Sequence, residues 1–172
     1  MSDIFIKNVG INDILILQNI GRQTFSETFT ESNTAENMQK YLEEGFAIQK
    51  LTLELQNENS KFYFAQLEDE VLGYLKINFG ASQTELKDNK AVEIERIYVL
   101  QAFQGKKIGQ LLYEKAMQIA KEVKAEYIWL GVWEENNKAI HFYTKNGFVP
   151  FDKHIFKLGD EEQTDIMMKL EL

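Results

Sequence analysis

The feature that most constrains the fold is a strand, a long helix and a second strand in the C-terminal half of the chain. Residues Ala91 to Val99 alternate apolar and charged side chains, which predicts a strand. Residues Lys106 to Val123 place apolar side chains at helical spacing, and Tyr127 to Val132 form a short apolar run typical of a central strand. Two strands joined through one helix usually lie parallel in the same sheet. The chain is therefore predicted to contain an α/β unit.

The remaining segments predict further strands and helices around this unit. The pattern indicates strands at Phe5 to Val9, Lys61 to Leu67, Val71 to Phe79, Phe148 to Leu158 and Asp165 to Glu171, and helices at Asn12 to Phe29, Ala35 to Glu44, Ile48 to Gln56 and Asn137 to Asn146. Thr34 and Gly147 fit the N-cap of one helix and the C-terminal stop of another. The predicted fold class is α/β (α+β), with a mixed, mostly antiparallel sheet of about six to seven strands flanked by helices. No linker divides residues 1–172, so we expect a single domain.

Composition restricts the class of partner. The net charge is −8, which disfavours binding to nucleic acid phosphates and favours a cationic partner. There is no cysteine, so a thiol nucleophile and a cysteine-based metal site are excluded. The N-terminal residues have no signal-peptide pattern, and no apolar run approaches the length of a membrane span. We expect a cytoplasmic protein that does not bind membranes, and the sequence leaves a homodimer open.

The connection between the first strand and the long helix has the chemistry of an anion site. It reads Leu100-Gln-Ala-Phe-Gln-Gly-Lys-Lys-Ile-Gly-Gln110. Glycines let the backbone approach an anion closely, and a helix start offers unsatisfied N–H groups and partial positive charge. Lys106 and Lys107 add cationic charge there. The segment predicts a site for the pyrophosphate of a nucleotide-type cofactor, although neither the dinucleotide-binding nor the P-loop glycine pattern is present.

A second segment makes the first more specific. It reads Asn136-Asn-Lys-Ala-Ile-His-Phe-Tyr-Thr-Lys-Asn-Gly-Phe148. Together the two segments resemble the GNAT superfamily of acyl-CoA-dependent N-acetyltransferases, whose patterns are Q/R-x-x-G-x-G/A and N-x-x-A-x-x-F-Y-x-x-x-G-F. The first glycine of the family loop falls on Lys107. The resemblance implies a single GNAT-like domain that uses acetyl-CoA as cosubstrate and no metal.

Four more segments are similar to PaiA-type spermidine/spermine N-acetyltransferases. They are Phe25 to Phe29, Glu36 to Leu42, Val92 to Tyr98 and Leu158 to Asp165. The resemblance implies transfer of an acetyl group to a primary amine of a small polyamine, by direct attack while both substrates are bound. Two alternatives remain: a peptide or protein N-acetyltransferase, and a non-catalytic CoA-binding regulatory module, which the lysine at position 107 keeps open.

The resemblance also assigns cofactor-binding residues. The expected set, from the strand, the loop and the second segment, is Ile97, Tyr98, Val99, Gln104, Gly105, Lys106, Lys107, Ile108, Gly109, Gln110, Asn136, Lys138 and Tyr143. Backbone amides near Ile97 to Val99 would hold the acetyl and pantetheine groups. Asn136 is equally well explained as a helix N-cap.

The catalytic residues are predicted with alternatives. Tyr143 matches the family tyrosine that protonates the leaving thiolate; otherwise it is a core aromatic residue beside Phe142. Glu93 and Glu95 lie on one side of a strand, and either could accept the amine proton, or each could pair with Arg96 or another cation. The acid that many relatives carry one strand later falls on Gly131, which favours the earlier strand.

Other polar and aromatic residues receive weaker assignments. Acidic residues on the early helices are candidates for binding the amine, although each is more typical of a solvated surface: Glu27, Glu31, Glu36, Glu43 and Glu44. His141 and His154 form no metal motif and are expected to be surface or packing residues. Trp129 and Trp133 are expected in the core or in a cleft wall.

Overall fold

A computed structural model describes residues 3–172, which form seven strands and five α-helices. The strands are β1 (Phe5–Asn8), β2 (Ser60–Leu67), β3 (Glu70–Phe79), β4 (Ala91–Val99), β5 (Tyr127–Trp133), β6 (Val149–Leu158) and β7 (Glu161–Glu171). The helices are α1 (Ile14–Phe29), α2 (Ala35–Gly45), α3 (Ile48–Gln56), α4 (Ile108–Glu122) and α5 (Asn137–Lys145). No helix in residues 3–172 is long and apolar enough to cross a bilayer.

All strands belong to one sheet, in the order β1-β2-β3-β4-β5-β7-β6. Five neighbouring pairs are antiparallel, and β4 with β5 is the parallel pair that the strand–helix–strand pattern predicts. The mixed, mostly antiparallel sheet confirms the predicted fold class.

Two apolar cores cover the two faces of the sheet. On one face, α4 and α5 pack on the central strands through residues such as Leu112, Ala116 and Tyr143. On the other face, α1, α2 and α3 pack through residues such as Leu17 and Leu51. The alternation of side chains along each strand divides its residues between these two cores.

Local signals fix several element ends. The Thr34 side chain accepts a hydrogen bond from the Asn37 amide at 3.1 Å and so caps α2. Gly147 has φ 97°, which ends α5 as predicted. Helix α4 begins at Ile108 rather than Lys106, because Lys107 is in the left-handed conformation. Strand β7 begins at Glu161, earlier than the expected Asp165, because its polar start pairs with β6.

Candidate active site

The site lies where the two parallel strands separate. Strands β4 and β5 pair from Ala91↔Tyr127 to Ile94↔Leu130, and β4 then continues to Val99 while β5 continues to Trp133. A cavity of about 1060 Å³ reaches into this gap and is lined by residues from both faces of the sheet. The divergence exposes strand edges to a bound molecule, since the backbone groups there have lost their partner strand.

The loop before α4 adopts a backbone shape that suits an anion. Gly105 has φ 82°, and a methyl group added there would meet nothing within 4 Å. Lys107 has φ 65° and ψ 17°, a left-handed conformation that glycine adopts more readily. The lysine therefore keeps the backbone path that a glycine would give, at a cost of about 1–2 kcal/mol.

Helix α4 offers its first amides to this loop. The Leu111 amide donates to the Lys107 carbonyl at 3.2 Å, which leaves the amides before it without intrahelical partners. The side chain of Gln104 donates to the Val99 carbonyl at 3.2 Å and accepts from Lys138 Nζ at 3.2 Å, which ties the loop to β4 and α5. Free amides, open space and lysines together fit a phosphorylated cofactor.

The cavity gathers nearly all of the predicted cofactor-binding residues. Its lining includes Ile97, Tyr98, Val99, Gln104, Gly105, Lys107, Ile108, Gly109, Gln110, Asn136, Lys138 and Tyr143. Lys106 does not line it, because its ammonium lies over the ring of Phe103, 5.4 Å from the centroid. Asn136 does cap α5, accepting from the Ala139 amide at 3.2 Å, so its side chain already has a structural role.

Tyr143 lies on the α5 side of the cavity. Its side chain is 6% exposed and packs among the rings of Phe142, Phe148 and, through them, Tyr113. Burial raises the pKa of the phenol above its usual value, so the group stays protonated at neutral pH. Tyr143 is therefore a packed aromatic residue that also lines the cavity, and its role as the acid stays a prediction.

Glu95 belongs to a buried ion cluster. Its carboxylate lies 2.8 Å from Lys76 Nζ and 3.0 Å from Arg96, and Glu54 contacts the same two cations. A β-bulge shifts the β3–β4 register here. Lys76 pairs with Arg96 and Ile77 pairs with Ile94, so Glu95 is the extra residue on β4. Burial alone would raise the pKa of Glu95, but Arg96 and Lys76 lower it to about 2, which makes this carboxylate a weak base.

Glu93 is enclosed by hydrogen-bond donors. Its side chain is 3% exposed and accepts from the Thr84 amide at 2.8 Å, the Thr84 hydroxyl at 2.5 Å and Asn78 Nδ2 at 3.0 Å. Burial raises the pKa of this carboxyl, and the hydrogen bonds from Thr84 and Asn78 oppose that rise. Glu93 lines the cavity, but both of its oxygens already have protein donors.

Asp165 is a cavity residue that the sequence did not reveal. It lies on β7 opposite Trp133 of β5 and His154 of β6. Its Oδ1 atom is buried and has no hydrogen-bond partner among residues 3–172. Burial raises the pKa of Asp165 to about 6, although His154 acts in the opposite direction. In the sequence, only its place in a strand of alternating polarity could have marked it.

The acidic residues proposed on the early helices do not reach the cavity. All five are exposed and absent from its lining: Glu27, Glu31, Glu36, Glu43 and Glu44. Glu27 instead accepts from the Gln101 amide at 2.9 Å. His141, His154, Trp129 and Trp133 all line the cavity, so the expectation of cleft walls holds for the two tryptophans.

These features define a domain that holds a phosphorylated cofactor between two diverging strands. The chain belongs to the acetyltransferase (GNAT) family, whose model matches residues 22–148. It is 39% identical, over 98% of both chains, to an uncharacterized N-acetyltransferase in the pepI 3′ region of Lactobacillus delbrueckii subsp. lactis. The chain is accordingly an acetyl-CoA-dependent N-acetyltransferase of the GNAT type.

Two more distant similarities cover nearly the whole chain. A spermidine N(1)-acetyltransferase of Thermoplasma acidophilum is 25% identical over 168 residues, which is 95% of this chain and 94% of that protein. The crystal structure of the PaiA N-acetyltransferase from Thermoplasma acidophilum in complex with coenzyme A has a TM-score of 0.81 at 24% identity, over 99% of both chains. The structural similarity over nearly the whole chain supports the fold, including helices α1 to α3.

Proposed function

We propose that this enzyme acetylates a primary amine of a small polyamine such as spermidine or spermine. One observation carries the proposal: a single cavity joins the α4 loop to an acceptor side lined by carboxylates and aromatic rings. The whole-length similarity to a spermidine N(1)-acetyltransferase supports the same substrate class. The chain's net charge of −8 adds an attraction for a polycation.

The residues of the loop would hold the cosubstrate. The amides at the start of α4, with Lys107 and Gln104, would bind its pyrophosphate, and the open edge of β4 from Ile97 to Val99 would bind its pantetheine arm. Acetyl-CoA supplies an activated thioester whose C–S bond breaks as the new C–N bond forms. A backbone N–H of β4 aimed at the thioester oxygen would stabilise developing negative charge there.

Tyr143 would protonate the leaving sulfur. Its side chain lines the cavity, so its hydroxyl could donate to a sulfur bound there. Because burial raises its pKa, the phenol is protonated at neutral pH and carries a proton when the sulfur leaves. Glu93 remains a candidate base on β4, whereas the ion-paired Glu95 is better suited to holding Lys76 and Arg96 in place.

An amine panel tests the substrate class. Purified enzyme is mixed with acetyl-CoA and spermidine, spermine, 1,3-diaminopropane, a peptide with a free N-terminus, or an N-terminally blocked lysine peptide. Thiol release is followed with a chromogenic disulfide, and the products are identified by mass spectrometry. We expect kcat/KM for the polyamines to exceed that for either peptide at least about tenfold.

The panel separates the alternatives. Turnover of only the peptide with a free N-terminus, or only the lysine peptide, would replace the polyamine with a peptide or protein acceptor. An absence of turnover with every polyamine would contradict the proposed substrate while leaving the family assignment intact.

A further inference from the structure

Asp165 is the cavity carboxylate with a free acceptor atom. Its Oδ1 has no hydrogen-bond partner in residues 3–172, although it is buried. A buried carboxylate oxygen without a donor is costly, and such a group is expected to be satisfied by a ligand or to take up a proton. Glu93 and Glu95 on β4 already accept from protein donors. Two further acidic residues line the cavity, and each also has a protein partner: Glu85 contacts His154 and Glu114 accepts from Gln110. Asp165 therefore remains available to an incoming cation.

The space beside Asp165 is open toward the gap between the strands. A methyl group on Gly131 would lie 3.8 Å from Asp165 Oδ2, so the glycine leaves that volume to the cavity. Trp133, the β5 partner of Asp165, also lines the cavity. The carboxylate therefore borders the region where β4 and β5 no longer pair.

Aromatic rings border the same volume. The ring of Phe29 lies 5.6 Å from that of Trp133 and 6.4 Å from that of Phe156, measured between centroids. All three residues line the cavity with Asp165. A carboxylate beside aromatic faces is a combination that binds alkylammonium groups, through an ion pair and through cation–π attraction to the rings.

Asp165 and Tyr143 reach the cavity from different faces of the sheet. Tyr143 belongs to the core under α4 and α5, whereas Trp133, the neighbour of Asp165 across the strands, packs with α1. A proton donor to sulfur and a proton acceptor from nitrogen must likewise approach the reacting carbonyl group from different sides. The two residues are therefore placed for complementary roles.

We propose that Asp165 binds the ammonium of the acceptor amine and takes its proton before the nitrogen attacks. This inference rests on the proposed function. The ammonium gives one proton to the Asp165 carboxylate, which later releases it to solvent. The nitrogen loses a second proton to solvent as the C–N bond forms, and the Tyr143 phenolate left after protonation of the sulfur regains a proton from solvent. Each turnover thus releases one proton.

The charged groups around Asp165 set its pH dependence. From β6 it faces His154, whose Nδ1 lies 2.7 Å from Glu85 Oε1, while β5 presents Gly131 and Trp133, which do not titrate. Burial raises the pKa of Asp165 to about 6 against the opposing influence of His154. A free alkylamine titrates near pH 10, so a rise in activity at about pH 6 would report the carboxylate.

The test compares Asp165→Asn with Asp160→Asn, a matched change at an exposed residue in the turn before β7. We expect Asp165→Asn to lower kcat about a hundredfold or more and to remove the rise near pH 6. Its KM for acetyl-CoA should stay within about twofold of the parent value. Asp160→Asn should behave as the parent enzyme does. Unchanged turnover in Asp165→Asn, or a retained rise near pH 6, would overturn the proposal.

A second measurement does not need turnover. In enzyme with 13C-labelled aspartate side chains, the carboxyl signal missing from Asp165→Asn is followed against pH, with and without 1,3-diaminopropane. We expect the diamine to lower the midpoint of this signal by about one pH unit, because a bound cation favours the ionised carboxylate. An unshifted midpoint would overturn the ammonium site. A shifted midpoint without turnover of any polyamine would instead contradict the proposed function.

Discussion

A methyl group on the Cα of Gly73 would lie 2.5 Å from the carbonyl oxygen of Tyr98. The obstacle is backbone, so Gly73→Ala must move β3 away from β4 beside the cofactor edge. Overpacking of this kind costs about 1–3 kcal/mol. We expect the free energy of unfolding in urea to fall by that amount and the affinity for CoA to fall with it.

Gly109→Ala is the matched control for this substitution. A methyl group on Gly109 would lie 3.8 Å from Val99 Cγ2, which is ordinary contact, and the residue is in the first turn of α4. Its free energy of unfolding should change by less than about 1 kcal/mol. Equal stability of the two variants would contradict the close approach at Gly73.

Removal of the Tyr143 hydroxyl should affect chemistry more than binding. We expect Tyr143→Phe to slow thiol release by about 10²–10⁴-fold, the range typical of general acid catalysis. The affinity for CoA, measured by calorimetry, should be nearly unchanged because the ring and its packing remain. Tyr113→Phe, in the same aromatic cluster but outside the cavity lining, should retain full activity. A similar rate in both variants would remove Tyr143 as the acid.

The ion cluster around Glu95 should make stability depend on pH. The pKa of Glu95 is about 2 in the folded protein and 4.5 in its usual environment. Its contribution to stability is therefore complete above about pH 4.5 and is lost as the pH falls toward 2. Glu95→Gln should lower the free energy of unfolding by about 3 kcal/mol at pH 7. In urea titrations, this difference between the parent and the variant should decrease below pH 4.5. A difference in free energy of unfolding that does not change with pH would mean that ionisation of Glu95 contributes nothing to stability.

The left-handed conformation of Lys107 predicts different effects for two substitutions. Lys107→Gly keeps the backbone path and removes one exposed cation, so its Kd for CoA should rise by no more than about fivefold. Lys107→Val places a β-branched side chain at φ 65°, which should cost at least a further tenfold in affinity. Calorimetry at one ionic strength measures both, and a valine variant that binds as well as the glycine variant would contradict the required geometry.

The central α/β unit was predictable because its signals are local. Helical spacing in α4 and the apolar run of β5 each depend on neighbouring residues, as does the cap of α2 at Thr34 outside this unit. The start of β7 was placed too late because Glu161 to Thr164 are largely polar and enter the strand only by pairing with β6. The start of α4 was placed too early because a lysine gives no signal of a left-handed backbone.

The part of the cavity near Asp165 is formed by segments that are far apart in the sequence. The spacing of residues along the chain does not predict such contacts. The predicted acids on the early helices are exposed, whereas Asp165 reaches the cavity because β7 lies between β5 and β6. Glu95 forms an ion pair with Lys76 of the neighbouring strand β3, a contact that the sequence does not reveal. The predicted cofactor-binding residues are close together along the chain and nearly all line one cavity, whereas no signal in the sequence indicated that Asp165 lines the same cavity.

The position of β7 also sets the order in which the two halves of the site can form during synthesis. The chain leaves the ribosome N-terminus first, so β4, the α4 loop and β5 emerge before β7. Until β7 inserts, β6 lacks the neighbour that joins it to the sheet, and β5 keeps one open edge. The nascent protein thus completes its cofactor loop first and receives Asp165 in its last strand. An enzyme stalled before that insertion would expose strand edges to aggregation while Asp165 was still absent from the cavity.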